Sequence, residues 1–448
     1  MLGFLGLRRT PRSTRGGMAR IPDRGVPQTL QTGESSATMR HLWVRGSSPG
    51  PAANPAQGVA VGGVKGTAHV PEVGMPDFDV IIVGARVAGS LTAALLGERG
   101  WRVLLLDRAT FPSDTLSTHF FREPAMLAFH RAGVWDDVQA VGAPLLVNMF
   151  NDIDGVTFTE PVEGQEGFNY VLCIRRVVLD EILVRRARRE PSVTLREGAT
   201  ARALLREGSR VAGVQFTHDD REQEATARVV VGADGFRSVV ARTVEPPVEH
   251  AIPVHRAMYY GYFAGLAPME PPAAEHHFWG NELVYAIPCD SGLTLLAVSV
   301  PIAEFPEWKR EGRRLFLERL RARPHLAPRL ERAEWVGRLY GAGDIPCYMR
   351  SPYGEGWALV GDAGLIMDPW HARGIEQASN HAVFLADALH RWLSGAVSWE
   401  TAMADYHAAR NAFSEKPYRR TYTNAPDFRP MLRAALQRRG LLPASSGA

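Results

Sequence analysis

Glycines and acids at the ends of apolar runs are the residues best placed for chemistry here. Phe78 to Val83 is a short apolar run with β-branched residues that stops at Gly84, and small or apolar residues then recur at helical spacing from Val87 through Leu91, Ala94 and Leu95. That pattern predicts strand, tight turn and helix. Such a turn suits phosphate: Gly84 supplies the backbone angles, Gly89 lets the helix lie close to the strand, and free N–H groups at Val87 and Ala88 face an anion. The next apolar run, Arg102 to Leu106, ends in Asp107, followed by Arg108. The acid stands about 20 residues beyond the turn, where a carboxylate accepts the ribose hydroxyls of an adenine dinucleotide. Arg86 occupies the place of a middle glycine. It either keeps the same backbone angles with its side chain turned away or lays its guanidinium beside the phosphate.

Two later segments repeat the theme. Val229 to Ser238 reads VVVGADGFRS, a buried strand and a turn with Asp234 and Gly235 before a helix opening at Arg237 and Ser238. Trp357 to Ile375 reads WALVGDAGLIMDPWHARGI, with Gly361 and Asp362 ending a strand and Gly374 beginning a long helical pattern through Leu389. Either pair alone could be an ordinary turn or cap; the order of all three carries the weight.

In that order the segments resemble the nucleotide turn, the Asp-Gly motif and the Gly-Asp motif of class A flavoprotein monooxygenases, the p-hydroxybenzoate hydroxylase type of FAD-dependent oxidoreductase. Geranylgeranyl reductases and flavin-dependent halogenases share that architecture. The resemblance covers roughly Asp77 to Asn424. It implies FAD, with Asp362 at the ribityl and pyrophosphate region, Asp234 near the pyrophosphate, and N–H groups around Gly374 and Ile375 at the flavin pyrimidine edge. A helix N-terminus there would stabilise negative charge. Arg176 matches the arginine that reaches the FAD phosphates, with Arg175 its nearest competitor and the Leu179-Asp180 pair expected to open the next helix. Relatives usually carry glycine where Ala372 stands, and an acid near His381.

The elements that must position these residues form an α/β fold: a Rossmann-like FAD-binding domain with an inserted, mainly antiparallel β-sheet substrate domain. The FAD-binding domain is expected to be discontinuous, over 77–143, 171–245 and 346–395. Aromatic and β-branched runs at Met258 to Phe263, His276 to Trp279 and Leu283 to Pro301 assign 246–345 to the insert, with 144–170 contributing further strands. Residues 396–448 are expected to be helical, bracing the FAD domain or forming a homodimer face. Residues 1–74, rich in Gly, Pro, Ser and Arg, read as a disordered extension, and Met75 as the favoured true start.

Composition narrows the function. A net charge of +3 over 448 residues, much of it carried by the first 74, gives no support for a nucleic-acid partner. Three cysteines, Cys173, Cys289 and Cys347, lie far apart in sequence, suggest neither a disulfide framework nor a metal site, and fit a reducing compartment. Without a membrane-length apolar run or a secretory signal, the expectation is a cytoplasmic protein.

Three chemistries compete on the implied flavin. A monooxygenase would draw electrons from NAD(P)H, form a C4a-hydroperoxide with molecular oxygen and hydroxylate a small aromatic substrate, needing neither nucleophile nor metal. A halogenase needs a lysine near the flavin after the second strand, and Lys65, Lys309 and Lys416 all lie elsewhere. A geranylgeranyl-type reductase would need a long greasy tunnel, whereas His255, Arg256, His276, His277 and Tyr285 punctuate this insert. The reductase stays open as the first alternative, and a non-catalytic flavin-binding redox sensor is the second. Within Phe111 to Phe121, FPSDTLSTHFF, the resemblance brings Asp114, Ser117 and His119 toward the reaction centre. His119 is a candidate phenol base, or else packs between aromatic rings or hydrogen-bonds FAD. His371 is the second candidate, or a structural hydrogen-bond partner.

Overall fold

The computed structural model describes residues 75–164 and 167–443; the expected disordered extension, 1–74, lies outside the described residues. Five parallel strands form the central sheet, in the order Trp357–Leu359, Arg221–Gly232, Phe78–Val83, Val103–Asp107 and Val193–Glu197. Their side chains alternate as a period-two pleat requires. Val80, Ile82, Val103, Leu105, Val229 and Val231 face helices Val87–Gly97, Arg176–Arg188 and Gly374–Leu393. Ile81, Val83, Leu104, Leu106 and Val230 face the other way, onto the antiparallel strands Thr200–Glu207 and Arg210–His218.

The insert is a seven-stranded sheet in the order Glu334–Ala342, Arg256–Ala264, Leu293–Pro301, Glu282–Pro288, Ala273–Trp279, Asn148–Ile153 and Val156–Pro161. Only the junction between Ala273–Trp279 and Asn148–Ile153 is parallel. One face packs Tyr259, Phe263 and Leu296 against Trp308, Leu315 and Phe316 of helix Phe305–Arg321. The other turns Tyr260, Tyr262 and Tyr285 toward Phe120, Trp370 and Phe428. Val248–Ile252 does not join this sheet; it pairs with Cys347–Arg350 in a small separate one. Helix Trp399–Asn424 braces the parallel sheet, Tyr406 donating to the Leu359 carbonyl at 2.7 Å and buried Arg410 to the Arg350 carbonyl at 2.7 Å. Among the described residues no helix is long and apolar enough to cross a membrane.

One buried cluster in the insert ties stability to pH. His277 lies between Asp152 (Nδ1 to Oδ2, 3.2 Å) and Glu275 (Nε2 to Oε2, 3.3 Å). Burial opposes its charged form, but the two bonded carboxylates outweigh that and raise its pKa above the ordinary 6.5. Its contribution is therefore complete below the unfolded value and lost as pH rises through the raised one. His277→Gln is expected to cost about 1–3 kcal/mol at pH 6 and much less at pH 9. Denaturant unfolding of both proteins at the two pH values tests this, and an equal cost at both would refute it.

Candidate cofactor and substrate site

Three glycine turns distant in sequence meet at one place. At Gly84, φ is +103° and a Cβ would stand 2.5 Å from the Ala233 oxygen and 2.8 Å from Asp234 Cα. A Cβ on Gly89 would meet the Gly84 oxygen at 1.7 Å, and one on Gly361 would lie 3.0 Å from Ala88 Cβ. These close approaches hold the first turn against the second and third. No side chain caps helix Val87–Gly97, so the N–H groups of Val87, Ala88 and Gly89 remain available to an anion. Asp107 fixes the turn, its Oδ2 accepting the Ala85 N–H at 2.7 Å and its Oδ1 the Ala109 N–H at 2.8 Å. Each oxygen retains a second lone pair for a ribose hydroxyl. Arg108 is exposed beside it.

Arg86 needs no glycine-like backbone, since its φ of −91° and ψ of −159° are extended. Its guanidinium turns to protein partners: Asp180 Oδ2 at 2.7 Å, the Ser113 carbonyl and hydroxyl at 3.2 and 3.1 Å, and the Asp114 carbonyl at 3.1 Å. The same fully buried Asp180 takes a two-pronged bond from Arg176 at 2.8 and 2.9 Å. One carboxylate thus joins two guanidinium groups and leaves a net positive charge. Arg176 lies near enough to Asp362 for each charge to bear on the other. Arg175 is committed elsewhere, its N–H and Nε bonding Asp290 at 2.7 and 2.9 Å. The helix opens at Arg176, earlier than the Leu179-Asp180 pair suggested.

Several polar groups along this line lack protein partners. Asp234 Oδ2 accepts the Val239 N–H at 2.7 Å, but its buried Oδ1 has no hydrogen bond among the described residues. Burial raises the pKa of that carboxyl. Asp362 is half-buried, and desolvation, opposed by Arg176, pushes its pKa up to about 6. Gly374 opens helix Gly374–Leu393, whose N-terminus no side chain caps, and Ile375 follows it. Ala372, where the resemblance implies a glycine, holds φ at +52°, in the left-handed region that glycine adopts most readily. Orphaned acceptors, two uncapped helix starts and glycine cradles together fit a long polar ligand with hydroxyl and phosphate groups, as FAD is. Arg237 points away, paired with Asp344 at the surface.

Both candidate histidines are buried. His119 is fully buried, its Nε2 lies 2.8 Å from the Tyr262 hydroxyl, and the rings of Tyr260 and Tyr262 flank it at 5.3 and 5.7 Å. Burial, helped by Arg176, lowers its pKa to about 3. The ring therefore rests neutral between the two tyrosines, hydrogen-bonded to Tyr262. Its Nδ1 is buried and unpartnered, a further group free for a bound ligand. His371 bonds Thr421 Oγ1 at 3.1 Å and stacks on Trp370, and burial keeps it neutral as well.

Beside Arg373 opens a pocket of about 550 Å³ whose lining includes Arg122, Glu123, Met149, Glu163, Phe168 and Tyr170. Arg373 is paired with Glu376 at 2.7 Å, and Glu160 on the pocket wall with Arg439. Arg122 has no carboxylate partner among the described residues; it lies over the Phe120 ring at 4.6 Å and reaches the Ala372 carbonyl at 3.4 Å. Burial and the nearby Arg373 push its pKa down to about 9. Sequence reasoning missed Arg122, which no periodicity marks. It also missed the role of Asp180, although the four-residue spacing from Arg176 was a usable signal.

Comparison with known proteins agrees with this geometry. The family model described as FAD binding domain matches residues 77–421. Kynurenine 3-monooxygenase of Salinispora tropica is 26% identical over 365 residues, 75% of this chain and 77% of that protein. The digeranylgeranylglycerophospholipid reductase of Methanosarcina acetivorans is 25% identical over 335 residues, 72% and 78% of the two chains. Among solved structures, the myxobacterial chondrochloren halogenase superposes with a TM-score of 0.69 at 25% identity, covering 78% of this chain and 80% of that one.

Proposed function

Because the chain belongs to the FAD binding domain family, we propose that it is an FAD-dependent monooxygenase that takes electrons from NAD(P)H and hydroxylates a small aromatic substrate bearing an anionic group. What supports this reading is the half-open pocket beside Arg373, with Phe168 and Tyr170 in its lining and with Arg122, which forms no ion pair among the described residues, set beside Glu123, Glu160 and Glu163. Bound FAD supplies two-electron transfer and oxygen activation. Asp107, Arg176, Asp234 and Asp362, with the first turn of helix Val87–Gly97, are the groups assigned to hold it. The start of helix Gly374–Leu393 is assigned to favour negative charge on the adjoining ring. Phe168, Tyr170 and Met149 pack against the substrate ring, and Arg122 orients its anionic group. His119 keeps the Tyr262 hydroxyl in place.

Two related chemistries fit these residues less well. A pocket of this size with charges in its wall suits an isoprenoid chain poorly. Halogenation of the lysine-assisted kind lacks its lysine among the described residues, where Lys309 and Lys416 are both exposed on helices outside the pocket lining.

The test is anaerobic reduction of the purified holoprotein with NADH and NADPH in turn, over a panel of aryl carboxylates and phenols, followed by air. Bleaching of the flavin and a product heavier by one oxygen support the reading; a halogenated or double-bond-reduced product replaces it. Arg122→Met is expected to raise KM for an anionic substrate about tenfold with little change in kcat. An unchanged KM removes Arg122 from substrate binding.

A further inference from the structure

Cys173 and Cys289 are 116 positions apart in the chain, yet their sulfurs lie 2.9 Å from one another. Both side chains are buried, at 0% and 1% exposure. That separation is inside the roughly 3.5–4.0 Å at which smaller carbon atoms rest in contact, and a covalent bond needs a closure of about an ångström.

The surrounding backbone holds the two sulfurs there. Cys173 ends the short strand Leu172–Cys173, which pairs with Phe120–Phe121 beside the FAD-binding layer. Cys289 follows strand Glu282–Pro288 of the inserted sheet, its N–H bonded to the Leu293 carbonyl at 2.7 Å. One residue beyond Cys289, buried Asp290 takes the Arg175 N–H at 2.7 Å and the Arg175 guanidinium at 2.9 Å. This clamp fixes the two segments without the sulfurs, so joining them requires little backbone movement.

We propose that Cys173 and Cys289 are an oxidative cross-linking site, forming a reversible disulfide between the FAD-binding layer and the inserted sheet with hydrogen peroxide as oxidant. A cysteine thiolate attacks one peroxide oxygen and the O–O bond breaks, giving a sulfenic acid and a hydroxide that becomes water by taking the proton the thiol had released. The second sulfur then displaces the sulfenic hydroxyl, which leaves as water with the remaining thiol proton as the S–S bond forms. Two thiols lose two electrons and two protons, and peroxide becomes two waters. A small dithiol reverses the step. Burial, together with the neighbouring Cys289, raises the Cys173 thiol pKa, so the reaction accelerates as pH rises. The bond also ties strand Phe120–Phe121, next to His119, to the sheet that carries Tyr262.

The experiment uses the full-length holoprotein, incubated with hydrogen peroxide or with dithiothreitol, then denatured and alkylated. Three alkylatable thiols are expected in the reduced sample, matching the chain's three cysteines, and a single one, Cys347, after peroxide. Peptide mapping should join Cys173 to Cys289, and dithiothreitol should restore both. The oxidised form should melt higher by a few degrees, an increase absent from Cys289→Ser. Three thiols after peroxide, loss of one thiol alone, or a bond to Cys347 would each overturn the proposal, and the wild-type count stands even if the serine variant folds poorly.

Discussion

Asp180→Ala is expected to lose about 3 kcal/mol of unfolding free energy, because removing one partner of a buried ion pair strands the other charge. Two charges are stranded here. Asp180 is fully buried, and the guanidinium groups it holds, Arg86 and Arg176, keep only 25% and 11% of their side-chain exposure. Arg86 could recover some hydration, so the lower end of the usual 3–5 kcal/mol range is the fitting figure. The consequence reaches the cofactor: Arg86 also anchors the Ser113-Asp114 segment, and Arg176 bears on Asp362. FAD retention should therefore fall together with stability. Arg86→Ala should be milder, since Asp180 keeps its two bonds from Arg176. Denaturant unfolding orders the variants, and an Asp180→Ala protein within about 1 kcal/mol of the parent would contradict the account.

What could be read without coordinates follows the range of the forces involved. The nucleotide turn was legible because strand, glycine and helix signals all lie between Phe78 and Leu95, and the insert because its strands are aromatic and β-branched runs, buried nearly throughout. Ser238 caps helix Val239–Val244 where the motif placed a helix start. The site chemistry was less legible because its partners are distant. The Arg86 guanidinium finds Asp180, 94 residues away, a partner no local pattern marks. His119 meets Tyr262 across 143 residues, and it is that enclosure, not the local sequence, that lowers its pKa. Cysteines far apart in sequence proved adjacent in space. Local patterns report backbone conformation; pKa and pairing belong to tertiary surroundings.

Asp362→Ala is expected to weaken FAD binding about 30- to 100-fold, equivalent to roughly 2–3 kcal/mol for charge-assisted hydrogen bonds to enclosed hydroxyls. The carboxylate is suited to this role because burial has already raised its pKa to about 6 with Arg176 as its counter-charge. Hydroxyl donors from a ligand favour the charged form and draw that pKa down on binding. Linkage then fixes the direction: FAD affinity is full above the ligand-free value near 6 and declines as pH falls through it, because the protonated acid must release its proton to bind. Asp362→Asn, which cannot ionise, should bind weakly at every pH and lose that dependence. Titrating FAD fluorescence against each protein between pH 5 and pH 8 separates the possibilities. A parent affinity flat across that range, or an alanine variant within about threefold of the parent at pH 8, would take Asp362 out of the cofactor site.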